Sequence, residues 1–260
     1  MEFKNLLFEK RGPIVILTFN RPQALNALNE ETLRDLLHAC RQIREDREIR
    51  AVVLTGAGGK AFVAGADIKA MGEMAPLDAL RFARLGHRAF AMLEKLDPVV
   101  IAAVDGYALG GGCELVLCCD LILATPESKF GQPEVNLGII PGFGGTQRLG
   151  RLIGRNRAKD LIFTGRQIAA QEAYEYGLVQ KIVSKEELMK EALQWAEQIL
   201  SKGPIAIELS KKAINNGMET DLHTGCELER NAFATVFATE DRKEGVQAFL
   251  EKRKPHFKGR

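Results

Sequence analysis

Along residues 1–185 of the chain, short β-branched apolar runs alternate with stretches of helical periodicity; beyond that point only helical periodicity remains. Residues 3–8 and 14–19 read as two strands, joined at Arg11-Gly12 as a hairpin. Asn29 is placed to cap a helix over 30–44, in which Leu33, Leu36, Leu37, Cys40 and Ile43 fall on one face. Residues 51–55 and 99–104 are continuous apolar runs, the profile of strands buried on both faces. A helical pattern over 77–96 stops before Asp97-Pro98, and 121–124 reads as a further strand. Helices are expected from about Gln147, over 157–163, and over 169–176 with Gly177 as the stop, followed by a last strand at 179–183. The remaining helices are expected over 186–201, 205–216, 222–239 and 242–252. The chain thus divides into a strand-and-helix body, 1–185, and a helical region, 186–260, with no Pro-, Gly- or Ser-rich linker between them.

Composition narrows the class without choosing an activity. At 260 residues and 46% hydrophobic content the chain can bury a large core. A net charge of only +2 exerts no strong pull toward nucleic acid or an anionic membrane surface. The odd set of five cysteines contains no Cys-x-x-Cys pair, which argues for a reducing compartment and against a disulfide framework or a zinc site. Neither a signal peptide nor an apolar run long enough to span a bilayer is recognisable, so a cytoplasmic location is the expectation.

Candidate chemistry concentrates in residues 99–141. The run 99–104 leads through Gly110-Gly111-Gly112 into an apolar helix start at 113–119. Three glycines let the backbone turn sharply and approach a ligand closely, and their amides would lie at a helix N-terminus. Free N–H groups there can hold an anion, or an oxygen that becomes one during a reaction. Glu114 lies in the same first turn, and Glu134 follows Gly131-Gln132-Pro133. Taken singly, each acid has a plain reading, a dipole-favoured helix residue for Glu114 and a solvated loop acid for Glu134. Likewise Asp67, after Gly65-Ala66, reads as the cap of the next helix.

Other motifs fail. Lys60, in the glycine-rich loop 56–60, is followed by Ala61 and not by the Ser or Thr of a phosphate loop. Gln147 stands where a dinucleotide fingerprint opening at Gly142 needs glycine, and there is no Gly-x-Ser-x-Gly elbow. His38, His87, His223 and His256 show no metal spacing, and no metal site is expected.

Together the motifs resemble the enoyl-CoA hydratases of the crotonase superfamily nearly end to end. The resemblance runs through Asn20-Arg21-Pro22-x-Ala24-Leu25-Asn26-Ala27, Phe62-Val63-Ala64-Gly65-Ala66-Asp67 and the segment from Ala103 to Leu115. It continues through Phe130-Gly131-Gln132-Pro133-Glu134, the run from Ile140 to Leu149, the Thr164-Gly165-Arg166 motif, and Glu244-Gly245 with Ala248-Phe249. It implies an α/β fold, a crotonase-type spiral of repeated β-β-α units, with the C-terminal helices building a homotrimer or a hexamer of paired trimers.

The same resemblance implies reversible syn hydration of a trans-2-enoyl-CoA to a 3-hydroxyacyl-CoA. Ala66 and Gly111 would supply the two amides of an oxyanion hole, and Glu114 and Glu134 the acid–base pair, Glu114 acting on water and Glu134 on the α-carbon. Backbone donors suit this chemistry because negative charge develops on the thioester oxygen, and losing one such donor costs roughly 3–4 kcal/mol of barrier. Gly142 would steady the attacking water; Ala24, Ala64, Asp67, Ile68, Phe249 and Lys252 would contact coenzyme A. No metal or redox cofactor is implied, since the thioester is itself the electron sink. Gln23 departs from the family pattern, standing where relatives often carry Lys or Arg near a CoA phosphate. Two alternatives accompany this reading: an enoyl-CoA isomerase or a dehydratase of a branched acyl-CoA, and, in another class, RNA binding through the basic tail 252–260, which the near-neutral total charge disfavours.

Overall fold

The computed structural model describes residues 3–260. Strands β1 (Leu6–Arg11), β2 (Ile14–Phe19), β3 (Ala51–Gly56), β5 (Val99–Val104), β7 (Leu121–Ala124) and β10 (Lys181–Ile182) form one sheet in the order β1-β2-β3-β5-β7-β10. A second sheet, ordered β4-β6-β8-β9, contains β4 (Ala61–Val63), β6 (Tyr107–Leu109), β8 (Lys129–Gly131) and β9 (Gln167–Ala169). From β3 to β8 the chain visits a strand of the large sheet, then one of the small sheet, then returns. Helix α3 (Pro76–Glu94) closes the first such turn and α4 (Gly111–Val116) the next. This is the β-β-α spiral.

The continuous apolar runs are explained by two cores on opposite faces of the large sheet. Val15, Leu17, Val52, Leu54, Val100 and Ala102 face one core, which includes Leu33, Leu36 and Leu37 of α1 (Glu30–Glu45) and Phe90 and Leu93 of α3. The alternate residues Ile14, Ile16, Val53, Ile101 and Ala103 face a second, closed by Leu188, Ala192 and Ala196 of α8 (Lys185–Leu200). Because side chains alternate along a strand, a strand covered on both faces needs apolar residues at every position.

Local expectations hold where a cap or a period specifies them. Asn29 Oδ1 accepts from Thr32 N at 2.8 Å and starts α1, all five of its predicted face residues are buried, and Gly177 ends α7 (Ala170–Glu175) at φ +80°. Strand β1 begins three residues later than expected. The amides of Lys4 and Asn5 donate to Asp35 Oδ2 on α1 at 2.9 and 2.8 Å, which takes them out of the ladder. Strand β10 is shorter than 179–183: at its start the Gln180 amide donates to Ile122 O at 3.0 Å, but Ile122 N donates to the Gln180 side chain at 2.8 Å and not to a main-chain carbonyl.

The helical region from residue 186 is not detached from the body. Its first helix, α8, completes the second core, and the next, α9 (Pro204–Gly217), is tied to it by Lys211. That ammonium donates to Asp120 Oδ2 at 2.7 Å and Pro98 O at 3.0 Å. Helix α10 (Leu222–Phe237) packs on α9 and buries no residue of its own. The tail folds back on α11 (Glu240–Leu250): Asp241 accepts from the amides of Lys258 and Gly259, and Arg253 and Arg260 pair with Glu244 and Glu240. Those two basic groups of the tail are therefore engaged with acids.

Helix α4 lies so close to β4 that a Cβ on Gly112 would stand 1.8 Å from Val63 O, whereas one on Gly142 would meet nothing within 4 Å. Gly112→Ala should therefore cost about 1–3 kcal/mol and Gly142→Ala no more than about 0.5 kcal/mol. Urea unfolding of the two variants side by side checks the contrast, and equal midpoints would contradict the packing described.

Candidate active site

Three neighbouring parallel strands of the small sheet deliver the candidate residues. Past β4 the chain runs through Ala64 and Gly65 to Ala66; past β6 it enters the glycine triplet; past β8 it reaches Gln132, Pro133 and Glu134. All three segments leave the same, C-terminal, edge of parallel strands, so they meet there.

At the first of them, Ala66 forms a parallel bridge with Leu28, whose N–H donates to Gly65 O at 2.8 Å and whose carbonyl accepts from Asp67 N at 2.9 Å. In this geometry the flanking residues make the bonds, and the Ala66 amide points to the opposite side. At the second, Gly110 adopts φ +49°, ψ −122° as the N-cap of α4, and the first helical bond runs from Glu114 N to Gly110 O at 2.9 Å. The Gly111 amide, one position into the helix, lies ahead of any intrahelical acceptor. A Cβ on Gly110 would stand 2.8 Å from Glu134 Oε1 and 3.7 Å from Gly65 Cα, so the three strand ends touch at this glycine.

The two carboxyl groups are held in different ways. Glu114 is 1% exposed, and its Oε1 accepts from Phe143 N at 2.8 Å and Gly145 N at 2.7 Å. Burial pushes its pKa up, opposed by the amides of Gly145 and Phe143 and by the cation of Arg148. Glu134 opens the short 3-10 turn Pro133–Leu137 and is half-buried. Burial first, and then the nearby charge of Glu114, raise its pKa to about 7. Glu134 therefore senses the charge of Glu114. Buried Gln132, with its amide oriented to satisfy its neighbours, donates to both oxygens of Glu134 at 3.1 and 3.2 Å; the same amide lies 2.7 Å from where a Cβ on Gly145 would be.

The other residues singled out from the sequence are dispersed. Gly142 is exposed immediately before Phe143, whose amide holds Glu114. Ala24 ends the 3-10 turn Pro22–Ala24, and the Ala64 amide donates to Leu25 O at 3.0 Å, which joins that turn to the end of β4. Asp67 caps the short helix α2 (Ile68–Met71), as its plain reading anticipated, and also pairs with Arg21 at 3.0 Å; Ile68 is exposed beside it. Phe249 and Lys252 are exposed at the end of α11, which packs on α10. These last two are not on the elements that form the glycine corner.

Sequence reasoning passed over the groups that hold the carboxylates: the amides of Phe143 and Gly145, and the side chain of Gln132. Gln132 stood inside a recognised motif, but nothing in its spacing announces that it is buried. Its complete burial is a tertiary fact.

The sequence profile of the enoyl-CoA hydratase/isomerase family matches residues 9–260, and the chain belongs to that family. A short-chain-enoyl-CoA hydratase of Clostridium acetobutylicum is 52% identical, over 98% of this chain and 97% of that one. A crotonyl-CoA hydratase of Syntrophomonas wolfei is 49% identical over 99% of both. Among solved structures, an enoyl-CoA hydratase from Bacillus anthracis superposes with a TM-score of 0.96 at 46% identity, over 99% of this chain and 100% of that one. The spiral read from the sequence is thus the fold of the family.

A carboxyl whose folded pKa lies above its unfolded value stabilises the protein below the unfolded pKa and loses that contribution as pH rises through the folded one. With Glu134 raised to about 7, wild type should lose stability relative to Glu134→Gln as pH rises from about 4.5 through about 7. Allowing for its partial exposure, the loss is about 2 kcal/mol. Urea denaturation of both proteins across that range measures it; a pH-independent difference would show that the carboxyl is not desolvated.

Proposed function

We propose that the chain catalyses reversible syn hydration of trans-2-enoyl-CoA to 3-hydroxyacyl-CoA. The observation that carries the reading is the approach of two carboxyl groups, Glu114 and Glu134, to a corner where the backbone amides of Ala66 and Gly111 have no partner among the described residues. In this scheme the thioester oxygen lies between those amides, which stabilise the enolate-like charge without having to reorganise. Glu114 takes a proton from the water whose oxygen bonds to C3, and Glu134 delivers a proton to C2. Gly142, beside the Glu114 cradle, offers its amide to that water. The dehydration direction runs the same two transfers backward.

Because a proton is redistributed between the acids and solvent with no net change in the substrate's charge, both directions need the pair in its singly protonated form. Hydration and dehydration then share one pH window, whose limits belong to the pair and not to either residue. Glu134, raised to about 7, accounts for the pair keeping a proton near neutrality.

Coenzyme A enters as the handle of the substrate, with Ala24, Ala64, Asp67 and Ile68 on the approach to the corner and Phe249 and Lys252 contributed across a subunit boundary. No resident metal or redox cofactor has a step to perform, since the conjugated thioester takes up the electrons. A short acyl group is favoured: the two relatives described above are named for short-chain and crotonyl substrates, and Phe143, wedged against Phe82 and Phe90, stands 3.3 Å from a Cβ position on Gly111. The assembly in this reading is a trimer or a pair of trimers. Its support is the exposed apolar surface of the C-terminal helices, with Phe233 65%, Leu222 83% and Phe249 82% exposed, more than an isolated chain ordinarily leaves open. Among the described residues no helix is long and apolar enough to cross a membrane, and the cysteines are free, three of them buried, in keeping with a reducing cytoplasmic setting.

Glu114→Gln and Glu134→Gln keep the shape of each side chain and remove its proton chemistry, so each should lower kcat for crotonyl-CoA hydration by about 10²–10⁴-fold with little change in KM. Loss of the enoyl absorbance reports the rate. Wild-type turnover in either variant would reject the acid–base assignment, and turnover confined to double-bond migration would favour the isomerase alternative. Light scattering during size exclusion should give a trimer or hexamer, and a stable monomer would contradict the role given to α9–α11.

A further inference from the structure

Arg148, on α5 (Gly145–Ile153), lies behind the Glu114 cradle and touches neither carboxyl group of the pair through a hydrogen bond. Its Nε and Nη2 donate to Glu94 Oε1 and Oε2 at 3.2 and 2.9 Å, a two-pronged grip on the last residue of α3. Its Nη1 donates to Phe143 O at 3.0 Å. Phe143 is the residue whose N–H holds Glu114 Oε1 at 2.8 Å, so one residue, bonded at its carbonyl and at its amide, links Arg148 and Glu94 to the buried carboxylate. The guanidinium lies so close over Gly144 that a Cβ there would stand 2.2 Å from Nη1, and Gly144 holds φ +112°. The turn 143–145 is thus fastened at its carbonyl by a side chain while its two amides face the acid.

We infer that Arg148, braced by Glu94, is a positioning residue for the catalytic pair: it holds the turn whose amides orient Glu114. The inference rests on the hydratase reading above and extends it to two residues outside the glycine corner. A planar fork held at both ends restricts the turn in a way that a lysine, a single flexible point charge, does not reproduce. The pair also acts electrostatically. The Arg148 cation favours the ionised form of Glu114, and the Glu94 carboxylate offsets part of that cation. The other groups near Glu114 are Glu134 from the 3-10 turn and the thiols of Cys113 on α4 and of Cys118 just past its end, which burial pushes up and keeps neutral; His87 of α3 borders Gly144. Removing the cation should shift the working pH window of the Glu114–Glu134 pair upward, and removing the Glu94 charge should shift it downward. A purely structural role has no reason to give opposite signs.

The test compares Arg148→Lys, Arg148→Gln and Glu94→Gln with wild type and Glu114→Gln, recording kcat, KM and the pH dependence of crotonyl-CoA hydration on samples checked by thermal denaturation. Arg148→Lys keeps the charge and loses the fork, so kcat should fall about 10-fold or more while KM stays within about twofold and the pH window does not move. Arg148→Gln should lose at least as much and shift the window up by about half a unit or more; Glu94→Gln should shift it down. Wild-type kcat in all three variants, or shifts of the same sign for Arg148→Gln and Glu94→Gln, would overturn the inference while an inactive Glu114→Gln left the hydratase reading standing. An active Glu114→Gln would remove both. Should Arg148→Gln fail to fold, the unmoved window of Arg148→Lys together with the downward shift of Glu94→Gln decides the matter, and absence of either overturns it.

Discussion

The backbone at the edge of the small sheet is packed to distances that leave no space for a β-carbon. A Cβ would stand 1.8 Å from Val63 O at Gly112, 2.8 Å from Glu134 Oε1 at Gly110, and 2.7 Å from the Gln132 amide at Gly145. Each of these approaches brings a main-chain amide or a carboxyl group to the same corner, and each would be lost if the neighbouring strand end moved outward to admit a side chain. Glycine is required at Gly110 and Gly144 for a second reason, since both hold φ values that other residues rarely adopt. The candidate site is therefore a property of main-chain packing first, onto which two acids are placed.

The two acids are made unequal by what holds them. Glu114 is deeply buried but receives two short amide bonds and lies near a guanidinium; Glu134 is less buried and has its own backbone amide, a neutral side-chain amide and a second carboxylate nearby, but no cation among the described residues. Burial of a charge near another charge of the same sign favours sharing one proton between them. In a pair that shares one proton, one acid can take a proton from water at C3 while the other delivers one to C2 on the same face, which is what syn addition of water across a double bond requires. The large sheet with its two cores supplies the rigidity: the strands feeding the corner are continuations of β3, β5 and β7, which are buried on both faces.

What could be read from the sequence followed the reach of local rules. Helix α1 was legible because a cap and a period agree, and β3 and β5 because a doubly covered strand is apolar throughout. The small sheet was not legible. Its strands Ala61–Val63, Tyr107–Leu109, Lys129–Gly131 and Gln167–Ala169 are each three residues long, too short for an alternation to register, although three of them carry the site. The site was found through its glycines and acids instead, whose spacing matches a family even where the strands between them are invisible. Gln132, Phe143 and Arg148 escaped because their roles depend on which surfaces meet, and no local pattern encodes that.

The central claim is that both acids work on one side of the bound enoyl group, so that water and proton arrive on the same face. Hydration of crotonyl-CoA in deuterium oxide, with the 3-hydroxybutyryl product examined by proton NMR before appreciable reversal, tests it directly. The account predicts a single deuterium at C2 in one diastereomer, that of syn addition. A product with deuterium on the opposite face, or scrambled between both, would contradict it.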